Sequence, residues 1–114
     1  MPHQSYREFQ FQEVGTSFDF SIDGVSDPVD VGEFTNLGLQ AVIVGNNRNN
    51  GVIIAQVSLD GVTFDDFTAP FAVATGGDSH TWLIGIFSGR WIRFKLDHGT
   101  NTTGTVKFYG FGKV

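Results

Sequence analysis

Apolar and polar residues alternate along several short stretches of the chain. Phe18, Phe20 and Ile22 interleave with Asp19, Ser21 and Asp23, while Ile92, Phe94 and Leu96 interleave with Arg93, Lys95 and Asp97. A period of two places each apolar set on one face of a strand. Fifteen glycines separate these runs, about twice the usual share of roughly 7 %. The pattern predicts strands at 6–13, 17–23, 29–34, 38–46, 52–59, 62–67, 70–75, 80–87, 90–97 and 104–113. No window sustains a 3.6-residue apolar period with a capped start, so no long helix is expected. Many short strands at regular spacing imply an all-β antiparallel fold, a β-sandwich or a barrel. The polar stretches GNNRNNG (45–51) and HGTNTTG (98–104) are the expected loops.

The segment VSLDGVTFDDF (57–67) admits two readings. As a hairpin, Asp60-Gly61 forms a two-residue type I′ corner joining 54–59 to 62–67, since that turn needs positive φ at both central positions. As a calcium loop it fails on spacing, because Val62 and Phe64 stand where oxygen ligands are required. The hairpin is the expectation.

A chain of 114 residues is long enough to bury a core without a metal or disulfide. One domain, 1–114, is expected, with 1–13 as an arm or edge strand. The chain holds no cysteine, which excludes disulfides and thiolate chemistry. No apolar run has signal-peptide or membrane-spanning length, so synthesis in the cytoplasm and no membrane partner are expected. A net charge of −5 argues against nucleic acid as a ligand. Its distribution is uneven: Glu8, Glu13, Asp19, Asp23, Asp27, Asp30 and Glu33 precede a basic tail of Arg90, Arg93, Lys95, Lys107 and Lys113. These charges either pair within one subunit or meet across copies.

Catalytic and metal patterns are absent from the sequence. His3, His80 and His98 lie far apart and outside zinc-ligand spacing. There is no nucleophile elbow, and Asp65-Asp66 would face opposite sides of a strand. Asn101-Thr102-Thr103 matches a glycosylation sequon but reads as a polar turn. Gly76-Gly77 lacks the phosphate-cradling context. A non-enzymatic protein with no cofactor and no metal site is expected.

Apolar content exceeds what one core needs. GVIIAQV and TWLIGIF carry apolar residues on both strand faces, which suggests a subunit or partner contact. Ile92, Phe94, Leu96, Val106 and Phe108 take the inward positions, leaving Trp91, Tyr109 and Phe111 outward beside Arg93 and Lys95. Aromatic and basic residues together have the composition of interface anchors, and aromatic faces also stack on sugars. Phe9 and Phe11 alternate with Gln10 and Gln12, so the arm adds an edge strand to this subunit or a neighbour. The candidate interface is therefore Phe9, Phe11, Trp91, Arg93, Lys95, Tyr109 and Phe111.

VSLDGVTFDDF, then GRWIRFKL, then GTVKFYGFGK together resemble the small β-sandwich modules of tailed-phage virions, such as head decoration (cement) and tail-associated proteins. The same order also resembles the C-terminal half of discoidin-like carbohydrate-binding modules. Those usually carry an early Trp-bearing loop, whereas residues 1–50 here contain no Trp. The resemblance implies a jelly-roll or discoidin-like sandwich located in the virion. It implies a cement protein, a trimer bridging copies of the major capsid protein, with a glycan or host-surface binding module as the alternative.

Overall fold

A computed structural model describes residues 6–12, 15–85 and 89–114. Among them the chain forms strands β1 (Tyr6–Gln10), β2 (Phe18–Asp19), β3 (Gly24–Val25), β4 (Val29–Asp30), β5 (Asn36–Val44) and β6 (Val52–Ser58). These are followed by β7 (Asp65–Asp66), β8 (Phe71–Ala72), β9 (Asp78–Ile84), β10 (Trp91–Asp97) and β11 (Thr105–Lys113). No helix occurs among the described residues.

Pairing is antiparallel throughout and divides the strands between two sheets. The first sheet runs β1-β11-β5-β9, with β2 continuing β1 along the same edge of β11. The second runs β3-β10-β6-β7, with β4 continuing β3 on β10 and β8 continuing β7 on β6. Joining these interrupted pairs leaves four strand positions in each sheet, connected in the order of a jelly roll. Of the sandwich and the barrel that the strand pattern allows, the sandwich is present, and the strand order favours the jelly roll.

Why the interrupted strands break is visible locally. The run expected at 17–23 ends at Asp19, whose carboxylate accepts both the backbone N–H and the hydroxyl of Ser21 and turns the chain. Phe20 is consequently buried and Ile22 exposed, instead of sharing a face. The strands expected at 29–34, 62–67 and 70–75 shorten to two residues each. The strand expected at 80–87 begins at 78, and its last two residues lie outside the described segments.

The core lies between the sheets. Phe94 of β10 stacks on Phe108 of β11 with centroids 4.0 Å apart and planes 5° from parallel. Phe11 abuts both edge-on, Trp82 tilts against Phe94 and Phe18 against Phe108. Ile92, Phe94 and Leu96 face inward, as do Val106 and Phe108. On β11 the inward series continues as Gly110 and Gly112, because the Phe9 and Phe34 rings occupy the space a side chain would fill.

At Gly112 a Cβ would run into the buried Phe34 ring. Gly112→Ala should therefore lower stability by about 1–3 kcal/mol through overpacking, read as a lower urea midpoint with unchanged m-value.

Candidate functional site

The Asp60-Gly61 corner is a wider loop than expected. Val57 pairs with Asp65, which leaves 58–64 to close the β6-β7 hairpin. Gly61 has φ of 79°, whereas no residue other than glycine has positive φ among those described, so a type I′ turn at Asp60 is excluded. The Asp60 carboxylate instead accepts the N–H groups of Thr63 and Val62 and the hydroxyl of Ser58. These bonds, led by the Thr63 N–H, hold the Asp60 carboxyl at about 2 rather than 3.8. The Ser58 hydroxyl oxygen in turn accepts the Asp60 and Gly61 N–H groups.

This loop folds over the outer face of the second sheet. Gly61 lies against the Trp91 indole, and the Arg93 guanidinium sits 4.1 Å from the centroid of Phe64. Arg93 donates from Nε to Gln56, and Gln56 donates to Asp66. Trp91 and Arg93 are half-buried by their own chain, whereas Lys95 stays exposed, as does Arg90, whose guanidinium lies 5.8 Å from the Trp91 ring centroid. The expected grouping of Trp91, Arg93 and Lys95 with Tyr109 and Phe111 is thus corrected: the two sets occupy opposite outer faces. Phe11 needs a second correction, being 4 % exposed within the core. Phe9 is half-buried against that core. The arm is an edge strand on its own β11; residues 1–5 and 13 lie outside the described segments.

The outer face of the first sheet carries no such cover among the described residues. Register places Glu8, Phe111, Gly38 and Leu83 in one cross-strand row, and Gln10, Tyr109, Gln40 and Thr81 in the next. Gly38 offers no side chain, so Phe111 and Leu83 flank a trough. Leu83 is 84 % exposed, Phe111 44 % and Tyr109 41 %. Tyr6 stacks on Phe111 with centroids 5.3 Å apart. The result is an apolar floor with carboxylate, amide and hydroxyl groups along one side. Leu83, Tyr6 and the trough at Gly38 were not among the interface residues expected from sequence. The two-faced apolar pattern of TWLIGIF was their only signal.

Elsewhere the fold gathers Asp23, Asp97 and His98, whose ligand-type atoms lie within 4.8 Å of one another. Asp23 Oδ1 meets His98 Nδ1 at 2.6 Å and accepts the His98 backbone N–H, which lowers the Asp23 carboxyl. The contact becomes an ion pair when the imidazole is protonated. Asp97 Oδ1 accepts the Gly99 N–H. These bonds fasten the turn after β10. Acidic head and basic tail also meet inside the chain, at Asp30–Arg90, 3.5 Å. Asn101 of the sequon is buried, accepting from the Arg48 N–H and donating to the His98 carbonyl.

No protein-family model and no curated protein matches the chain. Solved structures match it by fold. The SPBc2 prophage-derived protein YomS superposes with a TM-score of 0.64 at 14 % identity, covering 100 % of this chain and 97 % of that one. A protein of infectious bursal disease virus, Gx strain, gives 0.57 at 10 % identity, covering 99 % of this chain and 32 % of that one. The C-terminal CBM6 of LamC, a laminarinase of Zobellia galactanivorans, gives 0.52 at 5 % identity, covering 95 % and 99 %. At such identities the likeness is one of fold.

Two outcomes follow from the loop at 58–64. Because the folded carboxyl of Asp60 is depressed, its contribution to stability is complete above the unfolded value near 3.8 and is lost as pH falls through about 2. Asp60→Asn should flatten that part of the acid limb in urea titrations between pH 5 and 2, taken as an approximate window. Gly61→Val should cost about 2 kcal/mol or more in the same assay, since a β-branched residue resists positive φ and would press on Trp91.

Proposed function

We propose that the protein is a non-enzymatic structural component of a phage virion and docks onto other virion proteins through the outer face of its first sheet. The observation that carries this reading is the apolar floor formed by Tyr6, Phe111, Tyr109 and Leu83 around Gly38. Burying apolar surface contributes about 25 cal/mol per Å², less the cost of association, and a few aromatic anchors commonly dominate such contacts. The jelly roll shared along its whole length with a prophage-derived protein supports the phage setting. Within that setting the role is decoration: the module bridges major capsid protein subunits as a homo-oligomer. Binding the assembled shell in preference to free coat protein stabilises the shell by linkage and requires no catalytic group.

A second reading, glycan binding, is favoured by one observation. Tyr109 and Phe111 lie beside Glu8, Gln10 and Gln40, which pairs a stacking surface with hydrogen-bonding groups. The CBM6 likeness supports it at the level of fold.

Rebinding of purified protein to phage particles assembled without it tests the proposal. Parent protein should co-sediment with particles and slow their thermal disruption, whereas Leu83→Asp or Phe111→Ala should weaken binding at least about tenfold with unchanged β-sheet circular dichroism. Absence of the protein from particles, or equal binding by both variants, would overturn it. Retention on an immobilised glucan without particle binding would establish the second reading instead.

A further inference from the structure

Among the described residues, three of the four sheet edges are interrupted, and at each interruption a side chain of the same subunit bonds the neighbouring strand. Between β1 and β2, the Gln12 amide donates to the Phe108 carbonyl at 3.0 Å and accepts the Phe108 N–H at 3.1 Å. Between β3 and β4, the Ser26 hydroxyl accepts the Phe94 N–H at 2.8 Å, and Pro28 follows. Between β7 and β8, the Thr68 hydroxyl accepts the Ala55 N–H at 3.1 Å, and Pro70 follows. Breaks and prolines of this kind keep an edge from pairing with another chain.

The fourth edge is β9, DSHTWLI. It is seven residues long and unbroken, without proline, lysine or arginine. It pairs with β5 on one side, and among the described residues no strand lies on the other.

We propose that β9 is an assembly edge that pairs antiparallel with β9 of a second copy around a two-fold axis at Thr81. A two-fold perpendicular to a sheet keeps each side chain on its own face, so only residues of like parity can stand opposite one another. Centring on Thr81 is the arrangement of this kind that engages all seven residues. Thr81 then faces its own counterpart, a favourable cross-strand pair, while His80 faces Trp82 and Ser79 faces Leu83. Centring on His80 would instead oppose the two imidazoles. In the Thr81 register the two Asp78 carboxylates lie at opposite ends of the ribbon, about 20 Å apart for six residues of strand and beyond a Debye length of about 8 Å. No like charges meet. The pairing extends the first sheet through two subunits, brings both exposed Leu83 side chains onto one continuous outer face, and covers the seam where Phe71 stacks on His80 beside Trp82. Nothing in this contact depends on the virion reading.

The chain contains no cysteine, so Thr81→Cys is a single-site probe. Directly opposed residues in antiparallel strands have Cα atoms about 4.5–5.5 Å apart, within disulfide range. With oxidised glutathione, Thr81→Cys should form a covalent dimer at least about tenfold faster than Thr105→Cys, an exposed control on β11. Native mass measurement of the parent should show a dimer, and Thr81→Lys, which opposes two ammonium groups, should weaken it at least about tenfold with unchanged circular dichroism. A parent that stays monomeric at its highest soluble concentration or forms a trimer, equal crosslinking of the two cysteine variants, or a Thr81→Lys protein as dimeric as the parent would each overturn the proposal. These readouts concern the free protein, so their failure is distinct from failure to bind particles.

Discussion

The Phe94–Phe108 stack joins the two sheets at their centre, and much of the fold is arranged around it. Each ring has an alanine directly opposite on the neighbouring strand, Ala55 beside Phe94 and Ala41 beside Phe108. All four residues are fully buried. A large residue next to a small one in each sheet lets the rings lie flat on one another, and such a pair contributes about 0.5–1.5 kcal/mol beyond its buried area. The same level of the sandwich is where the edges break. Gln12, Ser26 and Thr68 satisfy backbone groups of Phe108, Phe94 and Ala55, so each interrupted edge still leaves those buried groups bonded.

Fixing the centre in this way leaves the outer faces to be treated separately, and the chain treats them differently. The second sheet receives its own 58–64 loop, which places Gly61 on Trp91 and Phe64 on Arg93. The first sheet receives nothing comparable among the described residues, although it carries Tyr6, Tyr109, Phe111 and Leu83. Covering one face and leaving the other bare is an asymmetry that a single folded core does not require. An exposed apolar patch lowers solubility unless something else covers it, which is the physical ground for treating the bare face as the working one.

Much of the sandwich was legible in the alternation of β10, where Ile92, Phe94 and Leu96 face inward as expected, and in the glycine-separated apolar runs that form β5, β6 and β11. Strand breaks were not legible from hydrophobicity, because Asp19, Ser26 and Thr68 act through local hydrogen bonds that alternation does not register. Asp60-Gly61 showed that the chain turns there. It did not show the width of the turn, since Asp60 caps N–H groups from negative φ instead of sitting in the left-handed region. Tyr109 and Phe111 were readable as outward residues because Val106 and Phe108 take the inward parity of the last strand. Their separation from Trp91 and Arg93 depends on which sheet each strand joins, and strand order is not a local property.

Two long polar loops close one end of the molecule, and their chemistry shows where adaptability has been given up. Asn47 and Thr102 exchange a reciprocal pair of bonds, Asn50 and Thr100 another, and Thr103 donates to the Gly45 carbonyl. A segment rich in Asn, Thr and Gly would ordinarily be the mobile, ligand-reading part of a β-sandwich. Here its amides and hydroxyls are largely committed to one another. On the proposed reading, recognition then falls to the first sheet and the unbroken strand at its border. Such surfaces suit contact with other folded protein, because a sheet face offers a broad rigid plane and an edge offers backbone groups in fixed register.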